Sequence, residues 1–163
     1  NKDERELIMS VAALDNVAWW HRVIEKAPGE FFINGPINHY PDFIVCTTSA
    51  SEPVLDDADV ADHAVVVAMG AHHPDKRELP GELMGRARVI VEDGHVAETE
   101  CGDVMLAVDE GHLEKGDWTE FRQVVVKQGL ARELAAADAP IVFKTAGMSW
   151  EDLAVAVEIL ARV

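Results

Sequence analysis

The chain has 163 residues, enough for one domain with a buried core. Hydrophobic residues make up 48% of it and charged residues 27%, which is ordinary for a soluble globular fold. Thirty acidic residues against 14 basic ones give a formal charge of −16. A field of that sign repels phosphate backbones, so we expect no nucleic-acid partner. No apolar run approaches the roughly 20 residues of a membrane helix, so we expect no membrane partner either.

The two cysteines, Cys46 and Cys101, form no CxxC motif and have no metal-ligand spacing. We therefore expect reduced, buried thiols and no metal site. The first six residues are too charged for a secretory signal, and together these features favour a cytoplasmic location. The sequence does not begin with methionine, which is typical of an internal cut or a trimmed chain.

The first half of the chain is predicted to hold one helix and several strands. Apolar residues recur at helical spacing over residues 2–14, and a short strand, Val17–Trp20, follows. The next strand candidates are Phe31–Ile33 and Phe43–Cys46. The clearest strand is His63–Met69, whose unbroken valines indicate a strand covered on both faces, as in parallel sheets.

The second half alternates in the same way. Arg88–Val91 is predicted to be a strand, residues 95–109 a helix and residues 118–127 a further helix. Residues 139–143 are the final strand candidate. Ser149 is a plausible N-cap with Asp152 three residues later. One face of the closing helix would then carry Leu153, Ala156, Val157 and Leu160.

Strands that alternate with helices predict an α/β fold with a mostly parallel sheet. We find no repeat, linker or low-complexity tract, so residues 1–163 are expected to form a single domain. In such sheets ligands gather at the carboxyl ends of the strands, and three segments of this chain follow predicted strands.

The first segment is His21–Arg22, after the strand Val17–Trp20. In dinucleotide-binding sheets an acidic residue at the end of the second strand accepts both ribose hydroxyls, whereas arginine binds a 2′-phosphate. Such an arginine–phosphate contact contributes about 1.5–3 kcal/mol, enough to favour NADP over NAD. An ordinary solvated arginine at a strand end is the alternative.

The second segment is Thr47–Pro53, after Phe43–Cys46. Small hydroxyl residues such as Thr47, Thr48 and Ser49 let a backbone approach a ligand closely and offer hydroxyls to ribose or phosphate. A polar loop that caps the next helix explains the same composition.

The third segment runs from Gly70 to Leu79 and combines a sharp turn with titratable and charged side chains. The adjacent His72 and His73 suggest a metal site, but adjacent side chains diverge and no third ligand stands at a standard spacing. Elsewhere in the chain no serine lies in a G-x-S-x-G motif and neither cysteine has a partner pattern, so a nucleophilic triad is not predicted.

Two stretches resemble signatures of the ornithine cyclodeaminase/mu-crystallin family: Ala68–Leu79, in its mu-crystallin-like form, and Val142–Asp152. Further parts of that family are similar, in the right order, to Thr47–Ser49 with Glu52–Leu55 and to Val89–Asp93 with Glu100–Asp103. The resemblance implies a Rossmann-like domain that binds NAD or NADP, with NADP slightly favoured. It implies a full-length protein that acts on an amino or imino acid, with assembly into a homodimer as a further expectation.

The resemblance also implies site residues. The cofactor would contact His21, Arg22, Thr47, Thr48, Ser49, Met69, Gly70, Gly147 and Met148. His72 and Lys76 would face the substrate or cofactor as catalytic groups. The family's cyclodeaminases carry aspartate where His72 stands, which favours imine reduction or amino-acid dehydrogenation over cyclodeamination.

The glycine-rich phosphate loop is missing, because no two glycines of the chain are separated by a single residue. We therefore expect the first strand and its loop to lie upstream, and the chain to be inactive on its own as the cofactor half of an oxidoreductase or deaminase. The alternative is a noncatalytic α/β module for small-molecule binding or oligomerisation, since a pyrophosphate would lack its helix N-terminus.

Overall fold

A computed structural model describes residues 43–162 of the chain. The predicted helix over residues 2–14, the strands Val17–Trp20 and Phe31–Ile33, and the candidate residues His21 and Arg22 lie outside the described residues.

The described strands form a five-stranded parallel sheet in the order β1-β2-β5-β3-β4. The strands are β1 Phe43–Cys46, β2 Val65–Ala68, β3 Arg88–Val91, β4 Thr119–Glu120 and β5 Ile141–Lys144. Strand β5 comes last in the chain but pairs with both β2 and β3, at the centre of the sheet. The predicted α/β class with a parallel sheet is confirmed.

Helices and a short 3-10 turn connect the strands. The turn is Asp57–Asp59, and the helices are α1 Gly81–Arg86, α2 Gly94–Thr99, α3 Gly102–Asp109, α4 Phe121–Val126, α5 Leu130–Ala135 and α6 Ser149–Leu160. In the described part of the chain, no helix has both the length and the apolar character that crossing a membrane requires.

Among the described residues, the main hydrophobic core lies on one face of the sheet. Alternate residues of β1, β2 and β5 are buried there, and α1 and α3 contribute apolar side chains to the same cluster. Cys46 and Cys101 belong to this core as free, buried thiols, as predicted. On the other face Val65 and Val67 are half-buried, so among the described residues β2 is not equally covered on both sides.

At the amino edge of the sheet, Arg86 at the end of α1 fixes the loop that precedes β2. Its guanidinium donates to Asp57 Oδ1 at 2.6 Å, to Asp62 Oδ1 at 2.7 Å and to the carbonyl oxygens of Asp57 and Val60 at 3.0 and 2.6 Å. This cluster lies away from the carboxyl ends of the strands, where the loops of the candidate site begin.

The helical character predicted for residues 95–109 is present but is divided between two helices, because α2 ends at Thr99 and α3 begins at Gly102. Cys101 between them is extended, with φ −90° and ψ 91°. Beside the break, a Cβ on Gly102 would lie 1.9 Å from the carbonyl oxygen of Lys76, so only glycine admits this close approach.

The predicted helix over residues 118–127 is wrong at its start. Thr119 and Glu120 pair with Ile90 and Val91 as strand β4, and helix begins only at Phe121. The helices Gly81–Arg86 and Leu130–Ala135 were not predicted, because six residues are too few for a clear apolar period.

The predicted N-cap Ser149 is also wrong, because Ser149 is the first helical residue and Met148 is the cap. Glu151, not Asp152, accepts the backbone N–H of Met148, at 3.2 Å. The predicted apolar face of α6 is exposed: Leu153, Val157 and Leu160 are all more than half accessible to solvent.

Candidate functional site

The carboxyl ends of three neighbouring strands bring the predicted loops together. The Met69 N–H donates to the carbonyl of Cys46 at 3.0 Å, and the Thr145 N–H donates to the carbonyl of Ala68 at 3.1 Å. The loops after β1, β2 and β5 therefore begin side by side at one edge. They carry Thr47, Thr48, Ser49, Met69, Gly70, Gly147 and Met148, seven of the predicted cofactor contacts.

Glu78 joins two of these loops. Its side chain is fully buried, and its Oε1 accepts the N–H of Thr48 at 2.5 Å while its Oε2 accepts the N–H of Gly70 at 2.8 Å. Its own carbonyl accepts the N–H of Val54 at 2.8 Å. One carboxylate thus ties the loop after β1 to the loop after β2.

Gly70 is needed here for space. A Cβ at this position would lie 1.9 Å from the carbonyl oxygen of Thr48 and 2.5 Å from Glu78 Oε1. Its φ is not in the left-handed region, so steric exclusion, not backbone freedom, selects glycine. The backbone at Gly70 approaches Thr48 and Glu78 closely.

A buried ion pair between Asp103 and Lys144 holds the backbone of Glu78. Asp103 Oδ1 accepts the N–H groups of Glu78 and Leu79 at 2.7 and 2.8 Å. Lys144 Nζ lies 3.2 Å from Asp103 Oδ2 and donates to the carbonyl of Ala71 at 2.6 Å. Oδ2 receives no well-directed hydrogen bond from the described residues, so its contact with Lys144 is mainly one of charge.

Burial determines the proton affinities of this cluster. It raises the pKa of Asp103, whereas Lys144 and the two backbone N–H donors lower it. Burial also raises the pKa of Cys46 to about 12, with the charges of Glu78 and Asp103 acting in the same direction. The Cys46 side chain is therefore a neutral packing group and not a nucleophile.

A second carboxylate holds the loop after β5. Glu92 Oε2 accepts from Thr145 Oγ1 at 2.7 Å and from the N–H of Gly147 at 3.1 Å. Burial raises the pKa of Glu92, opposed by the Thr145 hydroxyl and assisted by the neighbouring Glu151. Gly147 has φ +77°, and a Cβ there would meet no atom within 4 Å, so the space beside it is open.

The predicted catalytic residues lie in the loop after β2. His72 is exposed, and its Nδ1 is 3.0 Å from the carbonyl oxygen of Gly70. Since a carbonyl only accepts, Nδ1 carries the hydrogen and Nε2 is left free. Lys76 is half-buried and its N–H donates to the carbonyl of His73 at 3.1 Å. His72 thus adjoins the Gly70 loop, whereas no described contact joins Lys76 to it.

Among the described residues, neither a group of metal ligands nor either of two cavities coincides with the candidate site. Within residues 43–162, no three His, Cys, Asp or Glu side chains are grouped as metal ligands. A cavity of about 150 Å³ lies along α2 and α3, and one of about 560 Å³ lies along β4 and α4. Neither is lined by the predicted site residues. The candidate site is therefore defined by the loops at the carboxyl ends of the strands and not by either of these two cavities.

Comparison with known proteins identifies the family. The model of the ornithine cyclodeaminase/mu-crystallin family matches residues 39–163. The chain belongs to this family. Rat ketimine reductase mu-crystallin is 36% identical over 115 residues, which cover 71% of this chain and 34% of that protein. A Delta(1)-pyrroline-2-carboxylate reductase from Bacillus cereus is 35% identical over 168 residues, which cover 93% of this chain and 50% of that protein.

Solved structures of the family share the fold. The probable ornithine cyclodeaminase from Bordetella pertussis Tohama I superposes with a TM-score of 0.62 at 31% identity, over 70% of this chain and 36% of that one. The iminosuccinate reductase of Paracoccus denitrificans in complex with NAD+ gives a TM-score of 0.66 at 25% identity, over 73% and 36%. The chain thus spans between a third and a half of the length of the relatives it matches.

Proposed function

We propose that this chain is the dinucleotide-binding part of an NAD(P)-dependent imino-acid reductase or amino-acid dehydrogenase. One observation carries the proposal: the loops after β1, β2 and β5 converge at the carboxyl edge of a parallel sheet, where this architecture binds ligands. The named activities of relatives give the reaction class, because ketimine and pyrroline-carboxylate reduction both add hydrogen to a C=N bond.

The edge fits the nicotinamide–ribose end of a dinucleotide. Met69 is 49% exposed directly after β2 and offers an apolar, polarisable thioether to a ring. Thr48 and Ser49 offer hydroxyls that suit ribose. Beside Gly147 there is open space for the ring. Glu92 and Glu151 add negative charge at this point, which favours the nicotinamide ring over a phosphate.

Phosphate recognition is assigned to other residues. The N–H groups of Thr48 and Gly70 already donate to Glu78, so they have no hydrogen left for a phosphate oxygen. We propose that Arg22, outside the described residues, reads a 2′-phosphate and gives the slight preference for NADP. His21 beside it is proposed to line the same position.

His72 is the proposed proton donor. When bound, the cofactor supplies the hydride. The free Nε2 of His72 is a suitable group to hold the proton that the substrate nitrogen receives, because Nδ1 is engaged by the Gly70 carbonyl. The ring is oriented by the same loop that Glu78 fixes. Lys76 is proposed to face the substrate from the following turn.

A nitrogen-15 NMR titration of this chain with NADPH and NADH tests the site. We expect amide shifts at Thr48, Met69 and Gly147, with NADPH binding more tightly. Gly147→Leu should weaken binding severalfold. Gly116→Leu is the matched control, because Gly116 also has positive φ and open space but precedes β4 at the opposite edge. Equal losses in both variants, or no binding of either nucleotide, would refute the proposal, and no binding would favour the noncatalytic module.

A turnover assay tests the proposed inactivity of the isolated chain. With Δ1-pyrroline-2-carboxylate and NADPH we expect binding without oxidation of the nucleotide, because the chain spans at most half of its reductase relatives. Measurable turnover would overturn this part of the proposal. His72→Ala would then be the decisive variant, and it should lower kcat more than it raises KM.

A further inference from the structure

We infer that Glu78 is a positioning residue, whose buried carboxylate fixes the separation of the two loops on which the nicotinamide end of the cofactor would lie. The inference rests on the proposed function and deepens it. Glu78 contacts neither ring nor substrate in this assignment; it acts through the backbones of Thr48 and Gly70.

The geometry of the carboxylate supports this role. Each of its oxygens takes one N–H, from Thr48 after β1 and from Gly70 after β2, at 2.5 and 2.8 Å. Within residues 43–162 no ion pair to a cation engages Glu78; its side-chain partners are backbone N–H groups. Hydrogen bonds accepted by a carboxylate are roughly twice as strong as those between neutral groups.

The carboxylate is itself held in place. Asp103 accepts the N–H of Glu78, and Val54 donates to the Glu78 carbonyl, so the backbone is fixed on both sides. Asp103 in turn pairs with Lys144, which reaches the carbonyl of Ala71 in the same loop as Gly70. The result is a rigid support that runs from β5 and α3 to the two loops.

The same arrangement excludes a different role for the edge. An ordinary phosphate-binding loop presents free N–H groups to an anion. Here a protein carboxylate occupies the position that such an anion would take against Thr48 and Gly70. At these two N–H groups the loops are therefore closed to a phosphate and open to the ring and ribose of the nicotinamide end, and the spacing of the loops depends on one side chain.

Glu78→Gln tests the assignment because it keeps size but offers only one acceptor oxygen. Its NH2 group must face either the Thr48 or the Gly70 N–H, so one loop loses its bond. Arg86→Gln is the matched control, because it breaks a comparable charged cluster at the amino edge. We expect amide hydrogen exchange at Thr48 or Gly70 to accelerate at least about tenfold in Glu78→Gln and to be unchanged in Arg86→Gln.

The second measurement is the binding affinity for each half of the dinucleotide separately. Nicotinamide mononucleotide should bind Glu78→Gln about tenfold more weakly than the unmodified chain, whereas ADP-ribose should bind both equally. A general loss of structure would weaken both ligands. Equal nicotinamide mononucleotide affinity in both proteins would overturn the positioning role and leave the proposed function standing. Failure of the unmodified chain to bind this ligand would overturn both.

If Glu78→Gln does not fold, the unmodified chain still decides the question. Its Thr48 and Gly70 amides should exchange slowly, and nicotinamide mononucleotide should slow them further. Exchange of both amides at the rate of an open loop would overturn the inference.

Discussion

Replacing Gly70 by alanine should be among the most damaging single-methyl changes in the described part of the chain. The added Cβ would lie 1.9 Å from the carbonyl oxygen and 2.4 Å from the nitrogen of Thr48, and both atoms are backbone. Ordinary contact begins at 3.4 Å, so the two loops must separate by about 1.5 Å. A flexible side chain could move aside, but here the β1 and β2 loops themselves must move.

The magnitude follows from two effects. Overpacking of this kind costs about 1–3 kcal/mol. A shift of 1.5 Å also breaks the hydrogen bond from the Gly70 N–H to Glu78, which costs about 1.5–3 kcal/mol more. We therefore expect a total loss of about 3–5 kcal/mol in the free energy of unfolding. For a chain of this size that lowers Tm by about 10 °C.

Urea unfolding followed by circular dichroism measures the loss, with the m value as a check on two-state behaviour. Gly116→Ala is the matched control, since it has φ +86° and no atom within 4 Å of the new Cβ. It should cost only the left-handed backbone penalty of about 1–2 kcal/mol. If Gly70→Ala costs no more than Gly116→Ala, the steric reasoning is refuted.

Three further outcomes follow from the buried charges and thiols. Lys144→Met leaves Asp103 as an unpaired buried carboxylate and should cost about 3–5 kcal/mol at neutral pH. Burial already raises the pKa of Asp103, and this substitution removes Lys144, which lowers it. Protonation of Asp103 then restores part of the lost stability, so the loss measured by urea unfolding should be smaller at pH 5 than at pH 7. Glu92→Gln should gain stability relative to the unmodified chain as pH rises. A carboxyl with a raised pKa binds its proton more tightly in the folded state, so the unmodified chain loses stability as pH rises through that pKa. If this is wrong, the stabilities of the two proteins measured by thermal unfolding will change in parallel across that pH range. Cys46 and Cys101, with pKa values of about 12 and 11, should resist a thiol reagent at about pH 8 until the chain unfolds. Rapid labelling of the folded chain would contradict the burial of these thiols.

The parallel sheet was predictable because its strands are short, apolar and bounded by turn residues. The unbroken valines before Met69 indicated β2, and the family resemblance ordered the loops around it. Helix boundaries were not predictable where tertiary contacts override local pattern. Gly102 begins α3 in close contact with the carbonyl of Lys76, 26 residues earlier in the chain, and β4 is defined by its pairing with Ile90 and Val91.

The supporting residues of the site were missed for a related reason. Lys144 ends an apolar strand and Glu78 follows two basic residues, so each resembles an ordinary surface charge in the sequence. Their burial depends on Asp103, which lies more than 20 residues from either along the chain. The signal that was available is a lysine directly after three apolar strand residues, because a charge in a central strand needs a buried partner.

The central position of β5 determines when this sheet can be completed. Strands β2 and β3 do not pair with each other; each pairs with β5, which begins 50 residues after Val91. At ribosomal rates of roughly 5–20 residues per second, synthesis of β5 begins about 4–15 s after β2 ends at Ala68 and about 1–4 s after β4 ends at Glu120. During this interval the inner edges of β2 and β3 are open to wrong pairing, so a nascent chain halted before Ile141 is the form of this protein most exposed to aggregation and to chaperone capture.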